Sequence, residues 1–385
     1  MGFNASHDVA IIGGGIGGLT AALAFARTGA NVTVYEQAAA ISEVGAGLQI
    51  TPNGARALHG LGLETALSRA GLPAAAVVPS DALTGRMIAR FDLTRQNPVY
   101  RFLHRADLIG LLAQACADHG VQIVLNARIA AVAADGSFDA GAGRVAPSLT
   151  VGADGLHSIL RPVLNGADAP FFTGQVAWRA IIPAQQADPV ARIWMAPGRH
   201  VVTYPLPGDR LNIVAVQERD TWAAEGWHHT DDPAYLRAAF ADCAPVVRDM
   251  LEQVEVTKLW GLFRHPVADH WHGTNTALLG DAAHPTLPFL AQGANLAIED
   301  AYVLARCCDK KADLAQALQA YQTARRPRVA RAIAAANANA RNYHLPGLQR
   351  KIAHTGLKAL GKIAPDAFIN RLGWLYNQDV TSSSV

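Results

Sequence analysis

The chain has 385 residues, half of them hydrophobic and 17% charged, which excludes a disordered segment and allows a large buried core in two domains or in one domain with an inserted layer. A formal net charge of +2 supplies no basic field for nucleic acid, so small molecules are the expected partners. The four cysteines, Cys116, Cys243, Cys307 and Cys308, form neither a CxxC pair nor a disulfide framework, and they suit a reducing compartment. No apolar run is long enough to span a bilayer. No secretory leader is expected, because the charged leader and the small-residue cleavage site are missing. Met1 to Ser6 fits the loose N-myristoylation pattern with Gly2, but the buried strand expected from about Val9 argues against that use. The expectation is a cytoplasmic protein with no membrane or nucleic-acid partner; a homodimer is compatible with it.

In chain order, Val9-Ala10-Ile11-Ile12 is a short apolar run ending in glycines and reads as a buried parallel strand. Leu19, Leu23 and Phe25 among alanines favour a helix from Ile16 to Arg27, closed by Gly29. Val32-Thr33-Val34-Tyr35 is the next strand, closed by Glu36, and completes a βαβ unit. From Val77 to Leu93, and again from Gln175 to Val216, β-rich runs alternate with turns such as Pro205-Leu206-Pro207-Gly208-Asp209, which predicts mostly antiparallel sheet. Between them an amphipathic helix, Asp107 to His119, leads to a strand, Val121 to Leu125. After Gly273 come the strand Ala277-Leu278-Leu279, a helix from about Gly293, and further helices to Lys362 interrupted at Pro327 and Pro346. The fold class is α/β: a Rossmann-like domain with an inserted, mostly antiparallel substrate sheet and C-terminal helices. The expected division assigns 1–75, 101–170 and 271–340 to the nucleotide-binding domain, 76–100 and 171–270 to the substrate domain, and 341–385 to a helical tail.

Gly13-Gly14-Gly15-Ile16-Gly17-Gly18 fits G-x-G-x-x-G between a strand and a helix. Gly13 permits the tight turn, Gly15 lets the backbone approach a pyrophosphate, and Gly18 lets helix and strand pack closely. Phosphates would then face the free N–H groups of the helix N-terminus, and Glu36 is placed for a ribose diol. An NAD(P)-dependent dehydrogenase would satisfy this much. The absence of a second fingerprint and of a redox CxxC weighs against a reductase that binds FAD and NAD in separate Rossmann domains.

Two other features attract attention and carry less. His265, His270 and His272, and the pair His228-His229 before Asp231-Asp232, lack a complete ligand set, so no metal is expected. The basic stretch Arg325 to Arg331 reads as a solvated helix face.

Three further segments decide the matter: Gly152-Ala153-Asp154-Gly155-Leu156-His157-Ser158 with Arg161, Gly280-Asp281-Ala282-Ala283-His284-Pro285, and Gln292-Gly293-Ala294-Asn295-Leu296-Ala297-Ile298-Glu299-Asp300-Ala301. Behind the glycine loop, over roughly residues 8 to 340, they make the chain resemble the single-component FAD-dependent aromatic hydroxylases of the para-hydroxybenzoate hydroxylase superfamily. The resemblance implies bound FAD, NADH or NADPH as transient co-substrate, and O2. It also implies hydroxylation of a phenolic ring through a flavin C4a-hydroperoxide. It assigns Asp281 to the FAD pyrophosphate or ribityl chain, and the helix N-terminus at Gly293, Ala294 and Asn295 to the flavin ring. Arg105 becomes an FAD contact, and Asp154 with Gly155 joins FAD and coenzyme use.

Gly198-Arg199-His200 and Tyr204-Pro205, with Trp178-Arg179 and Gly45-Ala46-Gly47-Leu48-Gln49 before Pro52-Asn53, resemble the branch of salicylate hydroxylase, 3-hydroxybenzoate 6-hydroxylase and 6-hydroxynicotinate 3-monooxygenase. The nicotinate enzyme carries histidine where Gln49 stands, so a benzene ring is favoured, and Gln49 itself is counted among the expected FAD contacts. Within that branch His200 is the expected proton acceptor for the substrate hydroxyl, because its ordinary pKa lies near neutrality. Tyr204, four residues on, shares its strand face about 13 Å away along the backbone and would hydrogen-bond or stack on the ring. Gln292 and Pro288 flank the flavin ring and line the oxygen-transfer pocket, and Arg179 is a candidate for a substrate carboxylate. The remaining alternatives are another hydroxylated ring (hydroxynicotinate or urate-like), an epoxidase, and a flavin-binding sensor without turnover.

Overall fold

The computed structural model describes residues 3, 4, 6–41, 46–141, 143–220 and 230–382. Gly2, Gly45 and the pair His228-His229 lie outside the described residues.

Val9 to Ile12 are buried on both faces, as a strand covered by helices requires. That strand, Asp8–Ile12, lies in the middle of a five-stranded sheet in the order Thr276–Leu278, Leu149–Gly152, Asp8–Ile12, Asn31–Tyr35, Gln122–Val124, with every pairing parallel. The helix Ile16–Ala26 buries nine of its eleven residues because the helices Gly293–Lys310 and Arg105–Asp118 pack against it while it lies on the sheet. Small residues make this sandwich possible: a Cβ on Gly17 would stand 2.7 Å from the Leu279 side chain.

The second layer is an eight-stranded sheet in the order Thr230–Asp231, Thr257–Arg264, Phe171–Pro183, Arg210–Glu218, Arg199–Leu206, Val190–Ala196, Ala76–Asp81, Phe91–Asp92. Its pairings are antiparallel except for Val190–Ala196 with Ala76–Asp81, which run parallel. Alternation sorts its residues cleanly. Val176, Trp178, Val201, Ile213 and Ala215 face a core completed by Leu236, Phe240, Val247 and Leu251 of the helices Pro233–Ala239 and Pro245–Glu252. The other face of the same strands looks toward the parallel-sheet domain. A three-stranded sheet, Gly47–Ile50, Arg101–His104 and Leu72–Pro73, stands beside the junction.

Toward the C-terminus the structure departs from expectation twice. The helix Leu314–Tyr343 runs unbroken through Pro327 and across the expected boundary at 340/341. A proline there removes one backbone hydrogen bond, and the flanking arginines tie the helix down on both sides of it. The stretch Arg325 to Arg331 is also not simply a solvated face. Arg325 is 1% exposed and meets Glu299 at 2.6 Å and Asp300 at 2.7 Å, and Arg328 meets Glu299 at 2.8 Å. The helix Gly347–Ile363 follows Pro346 as expected. Among the described residues no helix is long and apolar enough to cross a membrane.

Candidate functional site

Three adjacent parallel strands, Asp8–Ile12, Leu149–Gly152 and Thr276–Leu278, deliver their carboxyl ends to one place, where open α/β sheets bind ligands. There a cavity of about 350 Å³, within the range of small-molecule sites, extends from the glycine loop to the free face of the eight-stranded sheet. Gly15, Gly155 and Asp281 line it at the strand ends.

The three fingerprint glycines occupy different environments. Gly13 has φ +105°, and a Cβ on it would stand 2.4 Å from the Ala153 carbonyl oxygen. A Cβ on Gly18 would fall 1.9 Å from the Gly13 carbonyl oxygen, so helix and turn touch at that point. Around Gly15 a Cβ would meet nothing within 4 Å, which leaves an open cradle above the backbone. Glu36 bridges the loop rather than lining the cavity: its carboxylate accepts from the N–H groups of Gly14 at 2.6 Å and Ala38 at 2.8 Å.

Two helix N-termini face the cavity, Ile16–Ala26 through Gly15 and Gly17, and Gly293–Lys310 through Gly293 and Ala294. Neither has a side-chain cap, so both present free N–H groups and the positive dipole end. Asp281 is exposed toward the cavity it borders, with protein atoms crowded around its carboxyl. Desolvation raises its carboxyl, and His284 and Arg105 pull the other way. Asp154 is also raised by burial; its Oδ2 accepts from the Ile159 N–H at 2.8 Å while its buried Oδ1 has no hydrogen-bond partner. An open glycine cradle, two uncapped helix ends and an orphaned carboxylate oxygen fit a dinucleotide whose pyrophosphate and ring system need those donors and acceptors.

Behind these loops stands a buried ionic frame. Arg161 donates to the carbonyls of Ala282 at 3.3 Å and Ala283 at 3.1 Å, so the segment after Asp154 holds the segment after Asp281. Asp300 accepts from the Gly280 N–H at 3.2 Å and lies 2.5 Å from His284 Nε2. Burial opposes the ionisation of Asp300, yet His284 and Arg325 hold it below the usual carboxylate range. Residues of the Gly280 and Gln292 motifs thus lock the loop to the helix that follows it. His265 belongs to the same scaffold, with Nδ1 3.0 Å from Asp168 and Nε2 3.1 Å from the Leu156 carbonyl.

The inner wall follows from strand register. His200 pairs with Val216, Val202 with Val214, Arg179 with Val214, and Ala177 with Trp260, which puts the side chains of His200, Val202, Tyr204, Arg179, Val214, Val216 and Trp260 on one face. All seven line the cavity. The Arg179 guanidinium lies over the Trp260 ring, 4.3 Å from its centroid. Tyr204 stacks on Phe102 at 5.2 Å between centroids, and burial pushes its hydroxyl pKa up. His200 is 1% exposed, with Nδ1 2.7 Å from His344 Nε2. Burial, then the neighbouring His344, pushes it well below the ordinary histidine value.

Gln49, Arg105, Pro288 and Gln292 also border the cavity. Gln292 presents no accessible surface, however. Its amide donates to Thr51 Oγ1 at 3.1 Å and the Leu290 carbonyl at 3.3 Å, and accepts from Asn53 at 3.1 Å. These bonds hold it in the loop before the Gly293 helix. Asn295 is likewise fully buried and braces Thr51, Gln49 and Ala291 instead of reaching the cavity. Sequence reasoning missed Trp260, His344, Glu218 and Tyr100. Trp260 could have been found by strand alternation from a correct pairing; the others join the site through contacts that no local pattern reveals.

Comparison with known proteins agrees with this geometry. Residues 6–336 match the family described as FAD binding domain. The chain is 36% identical over 353 residues to 3-amino-4-hydroxybenzoate 2-monooxygenase PtnB3 of Streptomyces platensis, covering 88% of this chain and 89% of that one. It is 32% identical over 398 residues to 3-hydroxybenzoate 6-hydroxylase 1 of Aquipseudomonas alcaligenes, covering 97% and 98%. The crystal structure of Klebsiella pneumoniae HpxO complexed with FAD and uric acid superposes with a TM-score of 0.83 at 25% identity, covering 96% of each chain. The chain therefore belongs to the FAD binding domain family and is an FAD-dependent aromatic-ring monooxygenase that uses NAD(P)H and O2.

Proposed function

We propose that this enzyme hydroxylates a benzene ring bearing both a hydroxyl and a carboxylate, of the salicylate or hydroxybenzoate type. The observation that carries the reading is the single sheet face that offers His200, Tyr204 and Arg179 around an apolar floor of Val202, Val214 and Val216. A flat ring suits that floor and the Trp260 face. Arg179 matches a carboxylate, for which a planar guanidinium provides two parallel donors. Both relatives named above act on hydroxybenzoates, in keeping with such a substrate.

In this reading Gly13, Gly15 and Gly18 shape the pyrophosphate cradle. Glu36 serves the ribose, Arg105, Asp154 and Asp281 hold the FAD, and the Gly293–Ala294 helix end faces the flavin. Gln49 and Pro288 close the ring pocket. Gln292 and Asn295 act as positioning residues. When bound, FAD takes hydride from NAD(P)H and activates O2 for transfer to the ring. The chain's own task is to make the ring electron-rich. His200, kept neutral by burial, takes the hydroxyl proton, and the resulting oxyanion favours attack on an electron-poor oxygen. Tyr204 orients the ring from the same strand. We place the enzyme in the cytoplasm, consistent with four buried free thiols, and a homodimer is the assembly to look for by sedimentation.

The test is a panel of hydroxybenzoates, hydroxynicotinates, urate and plain phenols, with NAD(P)H oxidation, O2 uptake and hydroxylated product measured together. Coupled turnover confined to carboxylate-bearing phenols supports the reading. Coupled turnover of urate or of a pyridine alone overturns it. His200→Ala should lower hydroxylation by about 100-fold or more with FAD still bound.

A further inference from the structure

His200 is the inner end of a line of three titratable side chains that leads out of the cavity. Its Nδ1 lies 2.7 Å from His344 Nε2, and His344 Nδ1 lies 2.7 Å from Glu218 Oε1. Exposure rises along the line, from 1% at His200 and 6% at His344 to a Glu218 side chain that is 55% exposed. The backbone holds it in place: the Gly198 N–H donates to the His344 carbonyl at 3.1 Å, and the Glu218 N–H donates to Gly198 at 2.9 Å.

The carboxylate at the outer end fixes the proton positions. A carboxylate only accepts, so His344 carries its proton on Nδ1 and offers Nε2 as acceptor. His200 must then carry its proton on Nδ1, which leaves its Nε2 lone pair as the nitrogen free to accept from the cavity. Among the described residues no hydrogen bond engages that Nε2.

We propose that His344 and Glu218 form a relay that conducts the substrate's hydroxyl proton from His200 to bulk water. This rests on the reading of His200 as proton acceptor and adds the route by which the proton leaves. The substrate O–H bond breaks as an N–H bond forms at His200 Nε2. The Nδ1 proton of His200 passes to His344 Nε2, and the Nδ1 proton of His344 passes to Glu218, which releases one proton to water. The substrate is left as its oxyanion, and no oxidant is needed. When the product hydroxyl regains a proton, the same path run inward restores both tautomers.

The surroundings suit passage of charge. His344 caps the C-terminus of the helix Leu314–Tyr343, where the dipole favours a transient imidazolium. The other groups around His200 are Phe289, 5.4 Å away, and the titratable rings of Tyr343, 5.2 Å away, and Tyr204 on its own strand. Burial pushes both tyrosine hydroxyls up, so they stay protonated and do not divert the proton.

The experiment uses FAD-loaded enzyme mixed anaerobically with the hydroxybenzoate turned over fastest in the panel, in weak buffer with an indicator dye. It follows proton release together with substrate oxyanion absorbance. His344→Phe and Glu218→Gln should slow release by about tenfold or more while substrate affinity stays within about twofold, and added imidazole should restore the rate. Release at the wild-type rate in both variants overturns the relay. So does slow release that imidazole does not restore, which would mark a purely structural role. Should His344→Phe fail to fold, Glu218→Gln at the half-exposed end decides alone. His200→Asn separates the two claims. If it releases the proton normally, the acceptor reading falls; if it alone is silent while the other two variants behave as wild type, only the relay falls.

Discussion

The Tyr100 hydroxyl donates a 2.6 Å hydrogen bond to Gln49 Oε1 and so fixes the orientation of a side chain that borders the cavity. Tyr100 is 2% exposed and edge-on to Tyr376, which leaves it little freedom of its own. Tyr100→Phe releases Gln49 without opening a large void. The expected outcome is a rise of about tenfold in KM for the aromatic substrate, worth about 1.4 kcal/mol, with FAD affinity unchanged. Steady-state kinetics beside a flavin titration checks it, and an unchanged KM would remove Gln49 from substrate recognition.

Gly15 and Gly18 should respond in opposite ways to the same added methyl group. Gly18→Ala drives a Cβ to 1.9 Å from the Gly13 carbonyl oxygen and should yield little folded protein. Gly15→Ala meets open space and an ordinary backbone, with φ −74°, so the apoprotein should melt close to wild type. Its FAD dissociation constant should rise by about tenfold or more, because the methyl group occupies the cradle. Melting curves with and without FAD distinguish the two outcomes.

Arg325→Met leaves Glu299 and Asp300 buried with their shared guanidinium gone. Breaking a buried ion pair from one side costs about 3–5 kcal/mol. Denaturant unfolding should show a loss of that order, with weaker FAD retention as the Gly280 loop loosens. A loss below about 1 kcal/mol would mean the frame is replaceable by simple packing.

Some of this was readable from the chain alone, and the reason is distance along it. The first βαβ unit is local, so glycine spacing and apolar runs sufficed. The shared face of His200 and Tyr204 follows from a period of two within one strand. Arg325 was misread because its carboxylates lie on a neighbouring helix, 25 residues earlier in the case of Asp300. The bonding of Gln292 was not legible locally, because its partners Thr51 and Asn53 are about 240 residues away. His344 is 144 residues from His200, and nothing in the local pattern around it suggests a site.

Acid should destabilise the fold through the two facing imidazoles. His200 is lowered by burial and then by His344, and His344 is lowered by burial against the pull of Glu218. The folded state therefore prefers both rings neutral, while the unfolded chain takes up protons as the pH falls through about 6.5. Their contribution is complete above that pH and is lost below it, at about 1.4 kcal/mol per pH unit for each ring the unfolded chain has fully protonated. Melting temperature between pH 7.5 and pH 5 should fall more steeply for wild type than for His200→Asn. Parallel curves would show that other groups govern the acid limb.

Arg179→Met should raise KM for carboxylate-bearing rings by about tenfold or more and leave the matching plain phenols nearly unaffected, since only the former lose a charge-assisted pair. An equal loss for both classes would reassign Arg179 to holding Trp260 in place.

The eight-stranded sheet is a partition one residue thick, and adjacent letters of its sequence belong to different rooms. Trp178 packs under the small helices while Arg179, its immediate neighbour, lines the cavity; Val201 and Val202 divide in the same way. Substrate preference can consequently drift through alternate positions of a strand while the intervening ones keep the wall upright. A collection of variants restricted to the cavity-side letters should yield folded proteins with changed ring selectivity far more often than one that randomises each strand throughout.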